Sequence, residues 1–345
     1  EHFGVYSRRC VVALLRCFWY GSTEPHRPYE FGVGLRDGQH TPADIDEVPP
    51  YWPDNETVRI DMLDYAYELK TFDDHLGRML AELEDSGQLE NTLIVVTADN
   101  GMPFPRCKGQ AYTYSNHLPL AVMWPRGIQQ PGRKIDDYVS FIDLAPTFID
   151  LAGVQWGQTG LQQSPGHSLT SIFQSSRSGR VDSQRSHVLI GKERHDVGRP
   201  DDVGYPIRGI VQEGWLYVKN FEIQRWPAGD PITGYLNCDG SPTKSEILKL
   251  KRSGGSAHYW ELSLGLRSSE ELYNLQSDPF CLENLASETA MQTRKTALFA
   301  EMLRELNQQG DPRVVGDGEM FDRYDYVDPS ARGDCAVMDE AMSPF

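Results

Sequence analysis

Asn91-Thr92-Leu93-Ile94-Val95-Val96-Thr97-Ala98-Asp99-Asn100-Gly101, running on to Lys108, decides the fold. Leu93 to Val96 is a short apolar run rich in β-branched side chains. That is the pattern of a strand buried on both faces in the parallel sheet of an α/β protein. The run stops at Asp99-Asn100-Gly101. Ligands collect at the carboxyl ends of strands in such sheets. A carboxylate beside an amide oxygen is a pair of hard ligands suited to Ca²⁺ or Mg²⁺. Gly101 allows the chain to turn sharply away. Seven residues on, Lys108 is placed to return a cation to the same rim. A hard metal beside a Lys makes a receptor for a sulfate or phosphate group. Asp-Asn-Gly is also an ordinary turn tripeptide, and spacing alone leaves both readings open.

The 345 residues suggest two domains, or one large domain with an appendage. An apolar content of 39%, with 16 Tyr, 13 Phe and 7 Trp, is enough for a substantial core. The net charge of −17 argues against nucleic acid and against an anionic membrane surface as partners. A local cluster of Lys, Arg and metal still permits an anionic substrate. The six cysteines form no C-x-x-C pair, so a zinc or redox motif has no support. No apolar run approaches the ~20 residues that span a bilayer.

Val11 to Tyr20 has the composition of a buried strand interrupted by Arg16. It runs into Glu24-Pro25-His26-Arg27-Pro28, where the two prolines fix the backbone around His26. A His held in that way suits a general acid or an anion donor, and a plain surface loop is the alternative. Gly32 to Asn55 is a long loop in which Tyr51 and Trp52 either line a cleft or, as the preferred reading, plug the core. From Glu56 a helical period sets in, with Asp54 or Asn55 to cap it and Gly87 to close it. Asp73, Asp74 and His75 belong on the solvated face of that helix rather than in a metal cluster. A strand at Leu118 to Trp124 and a helix at Val139 to Val154 follow, the latter with Pro146 in its first turn. Val188 to Gly191 is another short strand, ending in Lys192-Glu193-Arg194-His195-Asp196-Val197-Gly198-Arg199, a further strand-end loop rich in His and Arg. Tyr205 to Val211 and Trp215 to Phe221 form a hairpin around Glu213-Gly214. Ile223 to Gly255 is turn-rich and irregular, Glu271 to Leu275 is a strand, and Leu282 to Leu306 is an amphipathic helix. The acidic tail from Asp311 is expected to drape over the surface or fray.

Three groups of residues together resemble the type I sulfatase family of the alkaline-phosphatase-like superfamily: Thr97-Ala98-Asp99-Asn100-Gly101, the helix end Leu83-Glu84-Asp85-Ser86-Gly87, and Glu271-Leu272-Tyr273-Asn274-Leu275 with Asp278-Pro279. Asp99-Asn100-Gly101-Met102-Pro103-Phe104-Pro105 and Gly204-Tyr205-Pro206-Ile207-Arg208 are similar more narrowly to the heparan N-sulfatase branch. The resemblance implies an α/β fold, a mixed sheet sandwiched by helices, with residues 1–200 in the catalytic domain and 201–345 in a smaller α+β subdomain. It implies hydrolysis of a sulfate ester or N-sulfate on a sulfated carbohydrate. It implies one Ca²⁺ with Asp99 and Asn100 among its ligands, and Lys108 on the sulfate. His26 would hold a sulfate oxygen or protonate the leaving group, and His195, Arg199 and Arg208 would grip the acidic sugar. A metal ion, a Lys and a His converging on three oxygens suit sulfuryl transfer, which is mainly positioning and charge stabilisation. Family habit implies a secreted, periplasmic or lysosomal site, and leaves the oligomeric state open.

The departure from the family lies in the nucleophile. Its signature, C/S-x-P/A-S-R, whose first residue becomes formylglycine, does not occur here, and neither does the N-terminal Asp-Asp metal pair. The expectation is therefore a piece corresponding to the C-terminal two-thirds of a sulfatase, with residues 1 to 16 matching nothing, weak Ca²⁺ affinity and no turnover of its own. The alternatives are a non-catalytic sulfated-glycan-binding protein, and a phosphate- or phosphonate-ester hydrolase of the same superfamily.

Overall fold

The computed structural model describes residues 16–325. The chain forms two compact units. Of the described residues, one comprises 16–29 with Tyr65–Leu93 and Met123–Ser183, and the other comprises Glu30–Asp64, Ile94–Val122 and 184–325.

Helix α1, Glu56–Asp85, passes from one unit into the other. Asn55 caps it, its Oδ1 accepting the Val58 N–H at 3.0 Å. The helix closes where Gly87 takes φ 67° and the Gln88 N–H returns to the Leu83 carbonyl, a glycine C-cap. Within the first unit Asp73 and Asp74 are exposed, and Asp74 pairs with Lys70 one turn away at 2.6 Å. The solvated-face reading holds for the two aspartates, whereas His75 is half-buried with its Nδ1 2.5 Å from the Tyr20 hydroxyl. Residues 16–20 carry no strand, and Phe18 and Trp19 are exposed. An apolar run broken by Arg16 has no pairing partner there among the described residues, and Val11 to Leu15 lie outside them. Helix α2 is Leu144–Leu151, shorter than expected, with Pro146 in its first turn and Gly153 at φ 68° just past its end.

In the second unit, strands β1 (Ile94–Thr97) and β2 (Leu120–Met123) pair in a two-stranded sheet. All four residues of β1 are half-buried rather than buried, because among the described residues only one strand flanks it. The larger sheet is antiparallel, in the order β3 (His187–Lys192), β4 (Ile207–Gln212), β5 (Trp215–Asn220), β6 (Glu270–Asn274). It spans the boundary placed near residue 200, since β3 precedes it and the other strands follow. The β4–β5 turn puts Glu213 at φ 51° and Gly214 at φ 75°, the left-handed pair that a tight hairpin requires.

Period-two alternation gives this sheet two apolar faces. Ile207, Leu216, Val218 and Tyr273 pack with Ala111, Tyr112 and Tyr205. Ile210, Tyr217 and Leu272 pack with Leu298, Met302 and Leu306 of helix α5, Gln292–Gln309. The first face therefore anchors the segment just after Lys108. Helix α5 starts ten residues later than the periodicity suggested, because the preceding stretch forms turns: Asn284 spends its side chain on the Leu272 and Ala286 amides. Two helices were not foreseen in the Gly- and Pro-rich region, α3 at Pro242–Arg252 and α4 at His258–Leu264. The signals for α3 were present: Ser241 accepts the Lys244 N–H and Pro242 occupies the first helical position. The tail is ordered as far as it is described. Asp311 binds Arg208 and Asp322 binds Arg225; residues 326–345 lie outside the described region. Among the described residues no helix is long and apolar enough to cross a membrane.

Candidate functional site

At the end of β1, Asp99 is exposed and Asn100 half-buried. The Asn100 Nδ2 donates to the Gly101 carbonyl at 2.8 Å, so the amide oxygen is the group left for a cation. Gly101 is required: a Cβ there would lie 2.0 Å from the Tyr114 carbonyl oxygen. Two hard oxygens on adjacent residues fit Ca²⁺ but supply only part of the six to eight ligands it takes. Among the described residues, the one group of three His, Cys, Asp or Glu side chains within metal-ligating reach is His187, Glu301 and Glu305. Arg304 already spans its two carboxylates at 2.6 Å.

Trp52 and Arg106 fix the chain between Asn100 and Lys108. Trp52 is buried, stacks on Phe104 at 4.8 Å and donates its Nε1–H to the Pro105 carbonyl at 2.9 Å. Tyr51 and Trp52 are therefore packing residues. Arg106, also buried, donates to the Leu262 and Cys281 carbonyls and lies 3.9 Å over the Tyr112 ring. Its neighbour Cys107 is inert as a nucleophile, since burial pushes its thiol up to about 12.

The segment ends at Lys108-Gly109, where three pieces of chain meet. Lys192, the last residue of β3, donates its Nζ to the Gly109 carbonyl. The Lys108 Nζ lies 3.4 Å from Asp239 Oδ1. The His195 Nδ1 lies 2.5 Å from Asn237 Oδ1, and its ring occupies the space a Gly109 side chain would need, an added Cβ falling 2.7 Å from Nδ1. Lys244, in the first turn of α3, pins the loop carrying Asn237 by donating to the Tyr235 and Cys238 carbonyls at 3.0 and 2.8 Å. The junction is electropositive and incompletely hydrogen-bonded. Burial, and then the charges of Arg199 and Arg267, hold the Lys192 amine well below its usual range. Burial of the inward ring edge first lowers the His195 imidazole, opposed by its Asn237 hydrogen bond; the charges of Lys192 and Lys108 lower it further. Asn237 Nδ2, Asp239 Oδ2 and Tyr205 Oη are buried atoms without a hydrogen-bond partner.

Of the residues singled out from sequence, Asp99, Asn100, Lys108, His195, Arg199 and Arg208 lie in the second unit and His26 in the first. His26 is exposed, with Nδ1 2.5 Å from the Arg27 carbonyl. The two arginines are bound within the fold. Arg199 is buried and spends its donors on the Trp226, Pro227 and Val203 carbonyls, and burial draws it down to about 10. Arg208 is buried with all five N–H groups engaged, by Asp311, Glu193 and the Lys192 and Ile207 carbonyls. The fold itself takes all five N–H groups of Arg208 and three hydrogen bonds from Arg199. Sequence reasoning missed Asn237 and Asp239. Their one signal was a polar Asn-Cys-Asp-Gly turn ahead of the Ser-Pro helix start.

Residues 22–154 match the sulfatase family model. An ulvan-active sulfatase of Formosa agariphila is 27% identical over 281 residues, covering 80% of this chain and 43% of that protein. The human N-sulphoglucosamine sulphohydrolase is 27% identical over 274 residues, covering 77% of this chain and 50% of its own length. The chain thus spans about half the length of these curated relatives. Its fold is alkaline-phosphatase-like. A solved structure of a protein in complex with its substrate D-glucosamine-2-N,6-O-disulfate superposes with a TM-score of 0.52 at 19% identity, covering 76% of this chain and 43% of that one.

Proposed function

We propose that the protein is a sulfatase acting on a sulfated carbohydrate, that these 345 residues, which lack the nucleophile signature, bind the sulfate without turning it over, and that Lys108 is the sulfate-holding residue. The observation that carries this reading is the Lys108 junction. A cationic amine stands there beside buried polar atoms that the protein itself leaves unpaired, an arrangement suited to an anionic, hydroxyl-rich ligand. The names of the relatives, one active on ulvan and one on N-sulphoglucosamine, point to the same substrate class.

In this reading Asp99 and Asn100 hold Ca²⁺, which when bound supplies positive charge to a sulfate oxygen. Lys108 balances the charge that builds as the sulfur–oxygen or sulfur–nitrogen bond breaks. His26, exposed between Pro25 and Pro28 in the first unit, is by the same resemblance a candidate anion donor or general acid. Export to a secreted, periplasmic or lysosomal compartment accompanies this role.

Because the 345 residues contain no C/S-x-P/A-S-R signature, direct binding is the cleanest test on this chain. Calorimetry with N,6-O-disulfated glucosamine in Ca²⁺ should show salt-sensitive binding that Lys108→Ala weakens by at least ~10-fold, the scale of one charge-assisted contact. Equal affinity for unsulfated glucosamine, or an unchanged affinity in the variant, would overturn the assignment.

A further inference from the structure

We propose that Asn237 is a positioning residue for His195: its amide oxygen takes the Nδ1–H of the ring, so that Nε2 faces outward as a hydrogen-bond acceptor for a hydroxyl or N–H of the sugar beside the sulfate. The sugar half of this statement rests on the sulfatase reading, and the Asn237–His195 half does not.

A neutral imidazole has one N–H and one lone pair, and the partner of one nitrogen decides the role of the other. The Asn237 Oδ1 lies 2.5 Å from Nδ1, and an amide oxygen only accepts. Nδ1 therefore carries the hydrogen and Nε2 the lone pair. Asn237 is fully buried, and the chain around it leaves no slack. Lys244 holds the carbonyls on either side of it. Gly198, at φ 126°, lets the next loop approach so closely that a Cβ there would be 3.1 Å from the Asn237 nitrogen. Gly109 packs against the Nδ1 edge of the ring, and His195 is an exposed residue, so its Nε2 edge is the one that meets solvent.

The charges around the ring favour the neutral form. Lys192 and Lys108 both oppose protonation, and Asp196 is the carboxylate acting in the other direction. A second acceptor lies beside Lys108: Asp239 Oδ2, buried and without a partner. One cation flanked by two acceptors suits a sulfated sugar that carries a donor next to its sulfate. It is a poor receptor for the sulfate at His195 itself, because an acceptor lone pair repels an anionic oxygen. His195 then reads the sugar, while Lys108 reads its charge.

The test is the ring nitrogen spectrum of the full chain labelled with ¹⁵N-histidine, with His195→Gln to assign the signal among the nine histidines. At pH 7.5 the His195 Nδ1 should resonate as a protonated nitrogen and Nε2 as an unprotonated one. Asn237→Asp, which keeps the shape and adds charge, should raise the ring's pKa and protonate both nitrogens. Asn237→Ala should lose the Nδ1–H preference. If that variant unfolds, the Asp variant still decides, with the other histidine signals reporting the fold. Titration with N,6-O-disulfated glucosamine should shift Nε2 more than Nδ1. A wild-type ring protonated at Nε2, or an Asp variant with unchanged titration, would overturn the Asn237 assignment. An Nδ1–H ring in a chain that ignores the sulfated sugar would sink the sulfatase reading and leave Asn237 in place.

Discussion

Two charged clusters adjoin the same end of β3, and they are built in opposite ways. In one, Arg208 and Arg313 face Glu193 and Asp311, with two guanidiniums matched to two carboxylates. Every N–H of Arg208 has an acceptor. In the other, Lys192, Lys108 and His195 gather around Gly109, Asp239 pairs with Lys108 alone, and buried atoms of Asn237 and Asp239 go unpaired. A saturated network spends its charge on holding the chain, here tying the C-terminal segment to β4. An unsaturated one costs stability, and is retained where a ligand completes it. Charge count alone does not separate them; the partner of each donor does.

The sharpest way to break the comparison is to cut the saturated cluster. Arg208→Ala removes the guanidinium from Asp311 and leaves Glu193 with Arg313 alone, and should cost about 3–5 kcal/mol in urea unfolding. A loss below ~1 kcal/mol would mean that the network is not structural. Met302→Ala, in the fully buried face of α5, should cost about 2–5 kcal/mol by opening a cavity. It should leave sugar binding unchanged, as calorimetry on the folded variant can check. Lys108→Ala should do the reverse, lowering affinity at least ~10-fold, or ~1.4 kcal/mol, with an unfolding midpoint close to that of the parent. Smaller still is the pH effect of His195. Its pKa is lowered, so the ring is neutral at pH 7, and its acceptor is lost only as pH falls through a value below the ordinary ~6.5. The unfolded chain binds that proton first, so stability also declines over the same acid window. Affinity measured from pH 8 to pH 5 should fall at the acid end, and Asn237→Asp should move that fall to higher pH.

What was legible in the sequence is local. Asn55 and Gly87 bracket α1, Glu213-Gly214 turns the hairpin, and Asp99-Asn100-Gly101 stops β1, each because the residue's own backbone or side chain dictates the turn. Long-range partnership was not. Nothing near Arg208 announces that a carboxylate it binds lies 103 residues away in Asp311. Asn237 escaped for the same reason, 42 residues from the histidine it touches. Helix α3 was hidden by the Gly and Pro around it, although its cap was in plain view.

The central claim is that Lys108, and not the saturated arginine cluster, meets the ligand. It is tested most directly by calorimetric titration of N,6-O-disulfated glucosamine into the parent chain and Lys108→Ala, with unsulfated glucosamine as control. Binding that needs the sulfate and drops at least ~10-fold without the lysine is the expected result. Binding that ignores either the sulfate or the lysine would contradict it.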